Sequence, residues 1–269
     1  MRRFVFGLLV GVTLHAAHPV TNEAERIRAL SSIFPQMKIT VGDPYPIPAR
    51  KPGELIVFPD ALDGQKVYHV VGPASGEAEL CAAGDVATMK RSDARELRFV
   101  IYHWPKSADI LAILQYRFTG IESPAGACWS IGRIVHLAGG HDAWRVTENR
   151  DLDTQHHAGL ERVELTDVSG DGTDDLLIES DWGGAGTAGS SLLIFSLQEG
   201  RLTQELEVVS RMEGLDESFT QPLDLGRTRK TQGKRFCFTK TDLGSNGQLY
   251  RDRPISRPCY PRGTRSGPN

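Results

Sequence analysis

Between Leu55 and Val209 the apolar residues come in runs of strand length, most of them alternating with polar ones, and turn-forming residues separate the runs at short intervals. A period of two sends successive side chains to opposite faces, so a chain patterned this way builds sheets and cannot build a helical bundle. Leu55-Ile56-Val57-Phe58 and Val67-Tyr68-His69-Val70-Val71 flank an Asp63-Gly64 turn and read as a hairpin. Leu97, Phe99 and Ile101 share one face of a strand that runs to Trp104. Ile110, Ala112, Leu114, Tyr116 and Phe118 share a face in the same way, although that segment is also long enough for a helix. Further strands are expected over 129–137, 143–147, 163–165, 176–178, 192–197 and 205–209.

Helical signals are confined to the N-terminal part. Asn22 offers an N-cap with Glu25 three positions on, Ile27, Leu30 and Phe34 follow at helical spacing, and Pro35 ends the segment. Pro44, Pro46 and Pro48 then force extended backbone and mark a connector. The expected fold class is therefore mainly β, with antiparallel sheets in a propeller-blade-like or sandwich-like body and one short N-terminal helix.

The densest chemistry lies in Asp167-Val168-Ser169-Gly170-Asp171-Gly172-Thr173-Asp174-Asp175, entered from Val163-Glu164-Leu165 and left through Leu176-Leu177-Ile178. Carboxylates at alternate positions can turn inward around one hard cation, and Gly172 permits the sharp turn that gathers them. Asp167, Asp171 and Asp175 would supply charge, with Ser169 and the Thr173 carbonyl completing an oxygen shell for Ca2+. Three carboxylates within ~4–5 Å repel by about 4 kcal/mol per pair at an effective dielectric near 20, and a bound dication reverses that sign. A metal-free Asp-Gly turn is the plainer alternative. An EF-hand is excluded, because its twelfth loop position needs a bidentate Glu and here holds Ile178.

The run Asp167 to Ile178 resembles the calcium loop of VCBS and FG-GAP repeats, the blades of integrin alpha-chain propellers and of many bacterial secreted proteins. Ser191-Leu192-Leu193-Ile194-Phe195 is similar to the closing strand of such a blade, so the resemblance spans residues 161–197. Ser169 stands where Asn or Asp is usual. The resemblance implies a calcium-bound hairpin in a non-catalytic scaffold or binding surface, with a carbohydrate or an envelope protein as partner.

Met1-Arg2-Arg3 followed by the apolar run Phe4 to Val12 and by Ala16-Ala17 looks like a secretory signal peptide over 1–17, too short to span a bilayer. Export to the periplasm or the exterior, with no membrane span after cleavage, is the expectation. In that setting Cys81, Cys128, Cys237 and Cys259, with no CxxC pair among them, read as two disulfides. Three connectivities are open, and proximity in the chain favours Cys81 with Cys128 and Cys237 with Cys259. Phe236 to Thr239, the Gly244-Ser245-Asn246-Gly247 turn and Tyr250 to Pro261 then read as a hairpin stapled by one bridge, with residues after Arg262 expected to be disordered.

The charge of the 269-residue chain is −3 but unevenly placed. From Arg227 to the end eleven Lys or Arg stand against Asp242 and Asp252, a balance of +9 that leaves −12 for the rest. That segment either meets an anionic polymer or surface, docks onto the acidic body, or forms a solvated tail. Nucleic acid is not an expected partner. The organisation expected is a helix and linker over 18–53, a β-rich domain over 54–226 and a basic C-terminal hairpin with its tail over 227–269.

Two other segments bear on chemistry. Trp182-Gly183-Gly184 through Ser191 lacks the Lys or the following helix that phosphate loops need, and reads as a flexible hairpin connection. Trp182 can stack on a sugar there, or pack over the hairpin, which its large burial area favours. His136, His141, Asp142, His156 and His157 lie near one another but match no HExxH spacing, and adjacent histidines on a strand face opposite ways. No GxSxG turn is present. The main reading is a non-catalytic, calcium-binding β module. The alternative is a secreted hydrolase of an envelope polymer drawing on His141, Asp142, His156 or His157.

Overall fold

The run Ile110 to Leu114 is apolar at both parities, and it forms a strand buried on both faces, with each of these residues at most 1% exposed. The computed structural model describes residues 20, 22–42, 54–59, 67–71, 79–81, 89–90, 96–104, 107–117, 130–140, 143–152, 159–184, 187–198, 200–214, 218–243 and 255–266. The expected signal peptide, the 43–48 connector and the turns at 63–64 and 244–247 lie outside them.

Helix α1 (Glu23–Ile33) starts where Asn22 accepts hydrogen bonds from the Ala24 and Glu25 amides. A seven-stranded sheet follows, in the order β1-β3-β2-β6-β7-β8-β9. Its strands are β1 (Lys38–Gly42), β2 (Glu54–Pro59), β3 (Val67–Val71), β6 (Glu96–His103), β7 (Ile110–Arg117), β8 (Ser130–Gly140) and β9 (Ala143–Asp151). β4 (Glu79–Cys81) and β5 (Met89–Lys90) pair separately. All neighbours in the seven-stranded sheet are antiparallel except β2 and β6.

The second sheet runs β10-β11-β12-β13-β14-β16, from β10 (Gly159–Thr166), β11 (Asp175–Gly184), β12 (Thr187–Gln198), β13 (Arg201–Glu213), β14 (Ser218–Thr220) and β16 (Thr241–Asp242). Helix α2 (Leu225–Lys230) and the strand pair β15 (Arg235–Cys237) and β17 (Cys259–Pro261) form a C-terminal clasp. β14 covers only the Arg211–Glu213 end of β13, so β18 (Thr264–Ser266) lies parallel along the free edge at Leu206–Val208. The segment after Arg262 expected to be disordered is therefore paired through Ser266, because an open edge next to it offers backbone partners.

The layers follow from strand parity. Ile110, Ala112 and Leu114 face α1 in one core with Leu97, Phe99 and Ile101. Leu111 and Ile113 face the second sheet, where they meet Ile178, Leu193 and Phe195. The opposite face of that sheet, with Leu177, Leu192 and Ile194, packs against Phe236 and Phe238 of the clasp and Val168 of the acidic loop. Polar ties lock the two sheets together: the Tyr102 hydroxyl donates to the Val163 carbonyl at 3.1 Å, and Arg150 donates to the Leu202 carbonyl at 3.1 Å.

The Gly-rich segment is strand on both sides of residues 185–186, with Trp182 paired to Gly189 and Gly184 to Thr187. A Cβ on Gly189 would lie 2.5 Å from the Trp182 ring, so the missing side chain admits the indole. Close approach of the indole, and of the Arg211 carbonyl that such a Cβ would also meet, is what Gly189 serves, and the expected hairpin connection itself, at residues 185–186, lies outside the described residues.

Candidate functional site

Strands β10 and β11 close on the pair Thr166 and Asp175, leaving residues 167–174 as the turn between them. Val168 fixes this turn to the protein, being fully buried in the core it shares with Phe236. Gly170 and Gly172 adopt φ of 79° and 84°, the left-handed region that a tight reversal between antiparallel strands draws on.

The loop carboxylates face its own amides. Asp167 Oδ1 accepts from the amides of Gly170 (2.6 Å) and Asp171 (3.2 Å), and its Oδ2 accepts from that of Gly172 (2.9 Å). Asp171 Oδ1 accepts from the Thr173 amide at 2.8 Å. Asp175 Oδ2 accepts from the amides of Val168 (3.2 Å) and Ser169 (3.3 Å). Ser169 and Asp175 are enclosed, at 2% and 4% exposure, whereas Asp171 and Thr173 stand in solvent. Burial pushes the Asp175 carboxyl up from 3.8 to about 7, against the downward pull of its two amides; Asp171 raises it further and Arg262 lowers it.

The five residues Asp167, Ser169, Asp171, Thr173 and Asp175 thus belong to one turn, but their carboxylates are drawn to separate amides. Among the described residues no group of three His, Cys, Asp or Glu side chains converges as metal ligands do. The donor set itself suits a hard cation. It is all oxygen, and a carboxylate has about four acceptor positions, of which Asp167 uses three for amides and one for the Ser169 hydroxyl at 3.5 Å, Asp175 two and Asp171 one.

Residues that the strand and loop patterns did not single out complete the surroundings. Arg229, at the end of α2, donates from Nη2 (2.6 Å) and Nε (3.2 Å) to the Asp167 carbonyl, and its stem lies against Gly170. Gly233, at φ 64°, sits so close to Ser169 that a Cβ there would be 2.5 Å from the Ser169 Cβ. Arg262 donates to the Gly233 carbonyl at 2.5 Å and to Glu205 at 3.3 Å. Of the uses open to the basic segment, these residues of it dock onto the acidic body. The charge asymmetry carried that signal.

The other sequence candidates separate. His136 is buried, with Nε2 3.2 Å from Asp109 Oδ2 and Nδ1 2.9 Å from the Thr147 hydroxyl, so both ring nitrogens are used within the protein. His141, Asp142, His156 and His157 lie outside the described residues. Cys237 and Cys259 are bridged across β15 and β17; Cys128 lies outside the described residues, and with it the second pairing.

A second polar group lies at the far end of the second sheet. Ser190 donates to Asp181 at 2.6 Å, Ser210 to Glu179 at 2.9 Å, and Arg211 approaches Asp181 at 3.4 Å. The buried Trp182 Nε1 has no hydrogen-bond partner among the described residues, and its ring lies against Gly189 of the hairpin. No described helix is long and apolar enough to cross a membrane. Comparison with protein-family models, with curated proteins and with solved structures returned no match.

Proposed function

We propose that the protein is an exported, non-catalytic β scaffold whose 167–175 turn takes one Ca2+, and that this ion sets the shape in which the surrounding surface meets a carbohydrate or envelope-protein partner. The observation that carries this reading is the enclosed Asp175 carboxylate. It sits in the turn beside Asp171, with two neutral amides as its hydrogen-bond donors. A buried carboxylate so placed gains most from a cation brought to its free lone pairs. Asp171 stands on the same turn with acceptor capacity to spare, Asp167 brings a further carboxylate, and the Ser169 hydroxyl and Thr173 carbonyl add neutral oxygens. The ion would supply charge neutralisation only. The chain's own contribution is a turn already closed by five amide-to-carboxylate bonds at Asp167 and Asp175.

Cleavage near Ala17 would leave Val20, whose amide donates to the Ile101 carbonyl at 2.7 Å and whose side chain lies in the first core. The test is titration calorimetry on the oxidised protein after chelator treatment. We expect heat on adding calcium and, at about a hundredfold excess over Kd, a gain near 2.7 kcal/mol in stability. Asp171→Ala should abolish both. Absence of heat at millimolar calcium would sink the reading.

A further inference from the structure

We infer that the acidic turn is held in shape from the C-terminal clasp, with Arg229 as its positioning residue, so that closure of the Cys237–Cys259 bridge and cation binding at residues 167–175 are coupled. The cation half of this rests on the calcium reading; the half concerning the shape of the turn does not.

Two contiguous routes join bridge and turn. In the first, Cys237 donates its amide to the Thr228 hydroxyl at 3.0 Å, and Thr228 is fully buried in α2. The next residue is Arg229, which grips the Asp167 carbonyl with two hydrogen bonds while the Asp167 carboxylate holds the amides of Gly170, Asp171 and Gly172. The main chain of Asp167 is fixed from outside and its side chain fixes the turn from inside. In the second route Arg262, three residues beyond Cys259, holds the Gly233 carbonyl, and Gly233 is wedged against Ser169. Ser169 is one of the two amides on Asp175.

Helix α2 has six residues, too few to persist without tertiary support. Its cap from Asp224 to the Arg227 amide (2.9 Å) and the bridged strand pair supply that support. Opening the bridge frees the element that presents Arg229. By linkage, what the ion gains from a closed clasp the clasp gains from the ion. Arg229 is itself exposed, so its replacement leaves the three cores intact.

The experiment is amide hydrogen exchange on the full oxidised chain in chelator, followed by calcium titration, for the parent, Arg229→Ala, Arg229→Lys and Cys237→Ala/Cys259→Ala. Exchange at Gly170, Asp171 and Gly172 should quicken about tenfold in Arg229→Ala and in the bridge variant, with calcium Kd raised by a similar factor. Arg229→Lys, which can restore one of the two bonds to the carbonyl, should recover part of both. Amides of β7 should be unchanged in Arg229→Ala. Parent rates at the three loop amides in Arg229→Ala would overturn the inference, even if the melting temperature falls. Faster loop exchange in a protein that binds no calcium in any form would uphold the clasp's control of the turn and remove the calcium reading alone. Should the bridge variant fail to fold, Arg229→Ala decides, because it keeps the disulfide.

Discussion

Asp175 concentrates the energetics of the turn in one side chain. Its folded-state carboxyl is raised to about 7 by burial, above the unfolded value near 3.8, so the folded protein holds the proton over a range where the unfolded chain has released it. The stability associated with that proton is full below about pH 4 and is lost as pH rises through about 7, an effect on the order of 4 kcal/mol. In chelator, the pH profile of the melting temperature should therefore fall across this window in the parent relative to Asp175→Asn. The Asn side chain keeps a carbonyl for the Val168 and Ser169 amides but carries no charge. Coincident profiles for the two proteins would contradict this account. Gly233 is the other decisive position: at φ 64° and with Ser169 against it, Gly233→Ala meets both backbone strain and a clash. We expect a loss of about 1–3 kcal/mol in urea unfolding, where a tolerated Ala would show no change.

Elements differ in how plainly the sequence announced them. Helix α1 was legible because its cap, its apolar spacing and its terminating proline agree. The central strands were legible because apolar residues recur at strand period, and the choice between helix and strand at Ile110 was settled by pairing to β6 and β8 on either side. Helix α2 and β18 were not legible. α2 carries one buried residue, Thr228, and so has no apolar period to read; β18 exists because β14 leaves part of β13 uncovered, a fact of tertiary geometry. The acidic turn was visible as a motif, whereas Arg229 and Gly233, some sixty residues away, had only a regional charge imbalance to point to them. The Cys237–Cys259 bridge, at a sequence separation of 22, makes a prediction at this scale. Removing it with Cys237→Ala/Cys259→Ala should lower stability by about 3 kcal/mol through the freer unfolded chain. Unchanged denaturation midpoints in oxidised parent and variant would show that β15, β17 and α2 hold together without it.

Across the whole molecule, shared strands decide how the layers come apart. β7 gives Ile110 and Leu114 to the core under α1 and Leu111 and Ile113 to the core between the sheets. β11 and β12 repeat the arrangement one layer on, with Ile178 and Phe195 inward and Leu177 and Ile194 against the clasp. No layer can leave without exposing the back of a strand that its neighbour needs. Unfolding should thus be a single transition, with far-UV dichroism and exchange of β7 and β12 amides sharing one midpoint in urea. Phe195→Ala, at a fully buried position of the middle core, should cost about 3–5 kcal/mol and move every probe together with the slope unchanged. If the β12 amides moved to lower urea while those of β7 stayed at the parent midpoint, the two sheets would be separate folding units, and the Tyr102 and Arg150 ties between them would carry less than the shared core requires.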